Sequence, residues 1–169
     1  MSAAAVILWM EKISKSFRDS QGTVRVLCGA DLRIDQGEFL IITGPSGSGK
    51  STLLNLAALL DRPDSGSCTF LDLRLNDLSD HELSRLRADS IGMVFQHFHL
   101  LRHRSALENV LFRWRYSAGT GTDRAALADQ ALALVGLSGI GHREVRVLSA
   151  GELQRVAIAR AVALPPRLL

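Results

Sequence analysis

The sequence predicts an α/β protein that contains an antiparallel β layer, and three observations predict this class. An apolar run at 39–43 is followed by a glycine-rich loop and then by a leucine-rich stretch, which is typical of a strand–loop–helix unit. Two earlier segments, 6–13 and 23–34, carry apolar residues in strand-like patterns. Helical patterns occupy most of the chain after residue 105.

The composition of the chain allows one domain with a substantial apolar core. Its 169 residues are 47% apolar, and the formal charge of +3 results from 20 cationic and 17 anionic side chains. The arginines are scattered and form no basic run, so we expect no nucleic-acid partner. No apolar stretch approaches the roughly 20 residues of a membrane span. We therefore expect membrane association only through a partner.

The first part of the chain is expected to supply the antiparallel layer. We predict a first strand at 6–13 and a second and a third strand within 23–34. Phe17 lies in the polar sequence between them and is expected in a turn. The polar residues at 35–38 predict the turn that leads into the strand at 39–43.

The loop at 44–52 reads Gly-Pro-Ser-Gly-Ser-Gly-Lys-Ser-Thr and matches the pattern G-x-x-x-x-G-K-[ST]. Glycines let successive backbone N–H groups converge on an anion, and the following helix N-terminus also favours negative charge. Lys50 is expected to contact the β- and γ-phosphates of a nucleotide, and Ser51 to ligate Mg²⁺. The alternative is a Gly/Ser-rich turn that binds nothing. The flanking strand and helix favour a phosphate-binding loop of the P-loop type.

Strands and helices continue to alternate after the loop. Two capping boxes, at 79–82 and at 105–108, predict helix starts. An apolar strand at 91–95 is expected to stop at Gln96. The other predicted elements are a helix at 51–60, a strand near 67–73, a helix from 79 to 88, a helix from 105 to 116, a flexible link at 117–122, and helices at 123–135 and 153–164.

Three motifs in this order resemble the nucleotide-binding domain of ABC transporters, and the resemblance covers essentially the whole chain. They are the phosphate loop as Walker A, Gln96 in Val-Phe-Gln as the Q-loop glutamine, and Leu-Ser-Ala-Gly-Glu at 148–152 as the signature. The sequence Gln-Arg-Val-Ala-Ile-Ala-Arg at 154–160 adds to this resemblance. Within the family, the lipoprotein-release and macrolide-export subgroup is similar to this chain at 53–55, 59–66, 95–101 and 106–110.

The resemblance implies a P-loop NTPase fold with a three-layer core and a helical insertion subdomain. A single ABC domain would occupy 1–169, with the Walker A core at 1–89, the Q-loop and helical subdomain at 90–150, and the signature motif with its helix at 148–164.

The resemblance also implies the residues of an ATP site. Phe17 would stack on adenine as the A-loop aromatic, with a core phenylalanine as the alternative. Lys50 and Gln96 would be the catalytic residues, and Ser51 and Gln96 would be the metal ligands. The implied ATP-binding set is Phe17, Gly44, Pro45, Ser46, Gly47, Ser48, Gly49, Lys50, Ser51 and Thr52.

The signature residues Ser149, Ala150, Gly151 and Glu152 would contact ATP held by the opposite subunit. Ser149 and Glu152 also fit a capping box, so the serine has a purely structural alternative, and both roles can coexist at a helix N-terminus. Ala150 stands where the family usually has glycine. Its methyl group would either weaken the contact with ATP or be tolerated.

The resemblance further implies ATP and Mg²⁺ as cofactors, a homodimer of nucleotide-binding domains, and a transmembrane permease that contacts the loop at 97–104. The subunit would be an ATPase that drives export, cytoplasmic and peripheral on the inner face of the cell membrane. Cys28 and Cys68 lack metal-ligand spacing, which agrees with reduced thiols in that compartment.

The Walker B Asp-Glu pair, the D-loop and the switch histidine of the family would follow residue 169. We therefore expect these 169 residues alone to read as a fragment that binds nucleotide weakly and does not hydrolyse it. Two alternatives stay open from the sequence. One is a non-catalytic ATP-binding regulatory module. The other is a soluble ABC ATPase acting on ribosomes or DNA, although the tandem domains or coiled coils typical of that class are not evident here.

Overall fold

An antiparallel sheet organises the first of the two compact units into which the chain divides, Met1–Leu83 and Ser84–Leu169. The computed structural model describes residues 5–20, 22–116 and 123–169. The strands are β1 Val6–Asp19, β2 Gly22–Asp35, β3 Ser65–Phe70 and β4 Leu73–Arg74. They lie in the order β2–β1–β3–β4, and every pair is antiparallel.

Strand β1 pairs with β2 on one side and β3 on the other, and its side chains alternate between core and surface. Leu8 and Met10 are fully buried, whereas Trp9 between them is 45% exposed. The register then shifts between Met10 and Ile13, and Lys12 adopts a φ of 52° at this irregularity. The shift turns Ile13 back into the core, where it is also fully buried.

The two long strands correct the sequence-based boundaries. Phe17, expected in a turn, lies in β1 and pairs with Val24 of β2. The second and third strands predicted within 23–34 are one strand, Gly22–Asp35. The polar residues that suggested turns lie within the β1–β2 ladder, where the register shifts. The chain therefore stays extended through these polar residues.

The predicted helix after the glycine-rich loop is present as α1, Lys50–Ala57. Leu56 and Ala57 are its buried residues, and the helix contacts β2. It ends three residues earlier than predicted, and Leu59 just beyond it adopts a left-handed φ of 56°. A residue in this conformation cannot continue a right-handed helix.

Two predicted strands are not strands in the structure. In the segment 39–43, Phe39 is 87% exposed and Ile41 is 69% exposed, and no described strand pairs with it. In the segment 91–95, Ile91 alone forms a bridge, which is parallel to Leu168. The apolar residues of these two segments predict an extended chain. A β-strand also requires a second segment that is hydrogen-bonded to it along its length.

Helices make up the second unit. Helix α2, Asp80–Ser90, contains the boundary between the units, and α3 Ala106–Leu111 continues into a 3₁₀ turn at Phe112–Tyr116. Helices α4 Arg124–Leu134 and α5 Ala150–Val162 follow. Both capping boxes predicted at 79–82 and 105–108 are present. The link predicted at 117–122 lies outside the described residues.

Helices α3, α4 and α5 contact one another around a shared core. Small residues at the contacts let the helix backbones approach closely. The buried core residues are Ala106, Val110, Trp114, Ala128, Ala131, Leu132, Leu137, Val145, Leu148, Val156, Ala159 and Ala163. Within the described ranges, no helix is both long and apolar enough to cross a membrane.

One polar side chain, that of Asn109 on α3, is fully buried beside this core. Its Oδ1 accepts from the Leu101 N–H at 2.6 Å. Its Nδ2 donates to the carbonyl oxygens of Leu101 at 3.1 Å and Ser105 at 2.9 Å. The amide therefore pairs backbone groups of the loop that precedes α3.

We expect Asn109→Ala to lower the free energy of unfolding by about 3 kcal/mol, because the substitution leaves the Leu101 N–H without its acceptor and empties the space that the buried amide fills. The measurement is the midpoint of urea unfolding. Gln130→Ala, which removes an exposed amide from α4, is the matched control and should change the midpoint little. Equal midpoints for the two variants would contradict the role assigned to Asn109.

Candidate functional site

Glycine determines the backbone path of the loop at 44–52. Gly44, Gly47 and Gly49 adopt φ values of 152°, 78° and 87°, which L side chains rarely adopt. At Gly49 space is also limiting, since a Cβ there would lie 3.0 Å from the Val26 carbonyl oxygen. These conformations lead the chain into the first turn of α1.

The N-terminus of α1 is not capped by the chain itself. Its N-cap residue Gly49 offers no side-chain hydrogen bond, and the first turn contains no acidic residue. The first N–H groups of any α-helix lack partners within the helix, and its dipole favours a negative charge there. The amides at 50–52 are thus available to an anion from outside the helix.

Lys50 lies against the loop that precedes it. Its Nζ donates to the carbonyl oxygen of Gly44 at 2.8 Å and to that of Pro45 at 2.6 Å. An ammonium group has three N–H donors, so two bonds fix its position and one donor remains for a phosphate oxygen. A cation, three backbone amides and a glycine-lined loop therefore converge at one helix start.

Ser51 provides an exposed hydroxyl in the same helical turn. The described residues contain no group of three or more His, Cys, Asp or Glu side chains that could hold a metal ion by themselves. Mg²⁺ prefers oxygen ligands and commonly takes several of them from waters and substrate phosphates. The hydroxyl of Ser51 fits this kind of site, in which the nucleotide supplies part of the coordination.

Phe17 lies on the surface of the sheet. Its side chain is 45% exposed, so the alternative of a core phenylalanine is wrong. The Lys15 Nζ lies 5.4 Å from the centroid of the ring, within the range of a cation–π contact. The ring therefore has accessible surface in the same unit as the phosphate loop.

Gln96 is exposed and lies in a bend, not at the end of a paired strand. The loop that follows it is held by one fully buried and one partly buried side chain. Asn109 bonds both backbone groups of Leu101, and Arg160 of α5 donates to the carbonyl oxygens of Phe98 and His99. Sequence reasoning missed both anchors. In each case the sequence signal was a polar residue within an otherwise apolar helical stretch.

Arg113 is a third residue that sequence reasoning missed. Burial lowers the pKa of its guanidinium, the nearby Arg160 lowers it further, and Asp89 opposes this shift. Among the described residues, its buried Nε and Nη2 have no hydrogen-bond partner. The helical unit therefore contains an incompletely paired cation near Arg160.

The signature segment begins helix α5, and Ser149 is its N-cap. The Ser149 Oγ accepts from the Glu152 N–H at 3.3 Å and donates to the Glu152 Oε2 at 2.8 Å. Glu152 Oε2 also accepts from the Ser149 N–H at 2.8 Å, and its Oε1 from Arg143 at 3.1 Å. The capping-box alternative is therefore correct for Ser149. These bonds, chiefly that from the Ser149 N–H, lower the pKa of Glu152.

The next two residues of the signature, Ala150 and Gly151, are exposed in the first turn of α5. A Cβ added at Gly151 would meet no atom within 4 Å. Packing within this chain therefore does not require glycine at position 151.

The site residues fall into two groups that correspond to the two units. Phe17 and the loop at 44–52 belong to the first unit, and Gln96 and the signature at 148–152 belong to the second. Within the second unit, Arg160 brings the segment after Gln96 against the helix that the signature begins.

Comparison with known proteins gives the family. The sequence model for the ABC transporter family matches residues 27–169, which include Walker A, the Q-loop glutamine and the signature. The chain belongs to the ABC transporter family. The P-loop NTPase fold class and the family resemblance predicted from the sequence are thereby confirmed.

Two relatives of this ABC chain are named for lipoprotein release and for macrolide export. It is 48% identical over 145 residues to the lipoprotein-releasing system ATP-binding protein LolD of Anaeromyxobacter dehalogenans, covering 85% of this chain and 61% of the relative. It is 44% identical over 160 residues to the macrolide export ATP-binding/permease protein MacB of an Azoarcus species, covering 95% of this chain and 24% of the relative. These relatives confirm the predicted subgroup. The chain spans less than two thirds of the length of each.

Two solved structures of the ABC transporter cassette MJ0796 have the same fold. One is a dimeric structure, with a TM-score of 0.85 and 38% identity. The other is a dimeric post-hydrolysis state bound to ADP and Pi, with a TM-score of 0.83 and 39% identity. Each comparison covers 95% of this chain and 71% of the cassette.

We expect the stability that Glu152 gives to α5 to disappear on acidification. Its folded pKa is lowered, so its contribution is present above the unfolded value, about 4.3 for a glutamate, and is lost as the pH falls through the folded value. Melting temperatures of the wild type and Glu152→Gln should differ at about pH 6, and the difference should shrink as the pH falls below about 4.3 toward the lowered folded pKa. A difference that does not depend on pH would contradict this account.

Proposed function

We propose that this chain is the ATP-binding part of an ABC transporter in which ATP binding and hydrolysis drive export by a membrane partner. The observation that carries the proposal is the start of α1, where Lys50 and uncapped backbone amides converge behind a glycine loop. A triphosphate supplies the negative charge that this helix end lacks. The names of the export relatives support the direction of transport.

ATP binding in the first unit is assigned to two regions. The β- and γ-phosphates bind the amides at 50–52 and the free N–H donor of Lys50. Adenine stacks on the exposed ring of Phe17, since a ring face suffices for stacking. The ADP- and Pi-bound state of the MJ0796 cassette supports the nucleotide class.

Hydrolysis is assigned to Lys50, Ser51 and Gln96. Bound Mg²⁺ would neutralise charge on the phosphates, with Ser51 as a ligand and Gln96 as a ligand or as the group that orients the attacking water. Lys50 holds the γ-phosphate in place by a charge-assisted hydrogen bond.

The signature supports a second copy of the chain as the other half of the site. Ser149 and Gly151 are exposed at the N-terminus of α5, and Ala150 and Glu152 complete its first turn. We assign them to the γ-phosphate of ATP held by the opposite subunit in a homodimer. The dimeric structures of the MJ0796 cassette support this arrangement.

The membrane partner is assigned to the loop at 97–104. Leu101, Arg102, His103 and Arg104 are exposed there, while buried bonds from Asn109 hold the backbone of the loop. A loop that is already ordered loses less conformational entropy when a partner docks. The proposed location is therefore the cytoplasmic face of the cell membrane, bound to a permease.

We expect Lys50→Ala to weaken ATP binding at least tenfold, because a charge-assisted hydrogen bond contributes about 1.5–3 kcal/mol. The measurement is titration with a fluorescent ATP analogue in the presence of Mg²⁺, using the protein as its gene encodes it. Lys12→Ala, at an exposed lysine of β1, is the control and should bind normally.

Unchanged ATP binding in Lys50→Ala would contradict the assigned site. Normal binding by the wild type without steady-state hydrolysis would instead indicate a regulatory module.

We expect Gly151→Ala to leave the melting temperature unchanged or slightly raised and to weaken ATP-dependent dimerisation. An added Cβ meets nothing within 4 Å in this chain, and alanine favours helix over glycine. In the dimer, the same methyl group would stand between the helix start and the opposing nucleotide. Dimerisation is measured by light scattering with ATP in a hydrolysis-deficient background.

Gly66→Ala is the contrasting variant for this test. A Cβ at Gly66 would lie 2.6 Å from the carbonyl oxygens of Glu11 and Lys12, so it should lower the melting temperature. Full dimerisation of a stable Gly151→Ala variant would contradict the assignment of the signature to the dimer interface.

A further inference from the structure

Arg160 joins α5 to the segment that follows Gln96. Its Nη1 donates to the His99 carbonyl oxygen at 2.9 Å, and its Nη2 donates to the Phe98 carbonyl oxygen at 2.7 Å. These acceptors are 61 and 62 residues away in sequence, so the guanidinium is not capping the end of its own helix. Burial lowers the pKa of its guanidinium.

The backbone that Arg160 holds is strained. His99 adopts a φ of 47°, an unfavourable conformation for a residue with a side chain. Its ring packs edge-on against Phe95, with 5.2 Å between the ring centroids. A strained residue keeps such a conformation only where its surroundings impose it. Here the imposing contacts are the two hydrogen bonds from Arg160 and the ring of Phe95.

We infer that Arg160 is a positioning residue for hydrolysis, which holds the strained backbone at 98–99 and thereby fixes Gln96 relative to the signature helix. The inference rests on the proposed function, because the proposed function assigns Gln96 and Ser149 to ATP hydrolysis. Ser149 and Arg160 lie 11 residues apart on α5, which corresponds to about 16 Å of rigid helix. One end of α5 therefore carries the signature, and Arg160 near the other end holds the segment that follows Gln96.

Arginine is specifically suited to these two hydrogen bonds. Its planar guanidinium presents two donors in fixed directions, so it can bond two successive carbonyl oxygens at once. A lysine ammonium is a point donor on a flexible side chain. The glutamine side chain is shorter than that of arginine. Arg160→Lys should therefore act as a partial substitute, and Arg160→Gln should release the segment.

The test compares Arg160→Gln with Arg155→Gln, an exposed arginine of the same helix, in the protein as its gene encodes it. The first readout is the NMR signal of the His99 ring, which the neighbouring Phe95 ring shifts. We expect the chemical shift of this signal to move to that of a histidine in an unstructured peptide in Arg160→Gln, and to stay unchanged in Arg155→Gln. This readout requires no ATP, so it remains informative if the proposed function fails.

The second readout separates kcat from ATP affinity. We expect Arg160→Gln to lower kcat at least tenfold and to change the Kd for ATP less than twofold, with Arg160→Lys between it and the wild type. Adding His99→Gly to Arg160→Gln should restore kcat about fivefold, because glycine adopts the left-handed conformation without the penalty of a side chain. The melting temperature of each variant is recorded alongside.

Three outcomes would overturn the inference. One is an unmoved His99 signal in a folded Arg160→Gln variant. Another is an equal loss of kcat in Arg155→Gln. The third is a loss of kcat that follows the melting temperature across the variants and is not relieved by His99→Gly, since that pattern describes a purely structural arginine.

Discussion

Every α-helix begins with N–H groups that its own backbone leaves unpaired, and the way this chain satisfies them distinguishes α1 from the other helices. Side chains cap the other four described helices, through Ser79 before α2, Ser105 before α3, Asp123 before α4 and Ser149 before α5. Helix α1 follows Gly49 and has neither a cap nor an acidic residue in its first turn. A triphosphate would supply the missing negative charge, so the proposed phosphate site lies at the helix start that the chain itself leaves uncapped.

The two helix starts assigned to ATP differ in a way that affects their chemistry. At α1 no side chain competes with a phosphate for the amides. At α5 the carboxylate of Glu152 already accepts both the hydroxyl proton and the N–H of Ser149, and Arg143 holds that carboxylate in place. A phosphate that approaches Ser149 must compete with Glu152 for these donors. The signature therefore offers a weaker anion site than α1, and one that depends on how readily Glu152 is displaced.

Features encoded by neighbouring residues could be predicted from the sequence. The phosphate loop, the three Ser-x-x-Glu boxes and the helices they begin are local, since each needs only residues within one or two turns. Features that depend on distant partners could not. Phe17 was placed in a turn because the register shifts that keep β1 extended arise from its pairing with β2. The apolar runs at 39–43 and 91–95 resemble strands, but pairing with another segment decides whether a strand forms.

The same reasoning explains why Asn109 and Arg160 were missed, and what they share. Each is a polar side chain within an apolar helical stretch, where composition alone suggests a solvated position. Each instead bonds to the backbone of the loop between Gln96 and α3, at Leu101 for Asn109 and at 98–99 for Arg160. An unpaired backbone group away from water is costly, and these two side chains supply partners for backbone groups of a loop that lies outside helices and strands. One fully buried and one partly buried side chain thus hold the backbone of the segment after Gln96. The proposed contact of a partner with this loop would act on Gln96 through that held backbone.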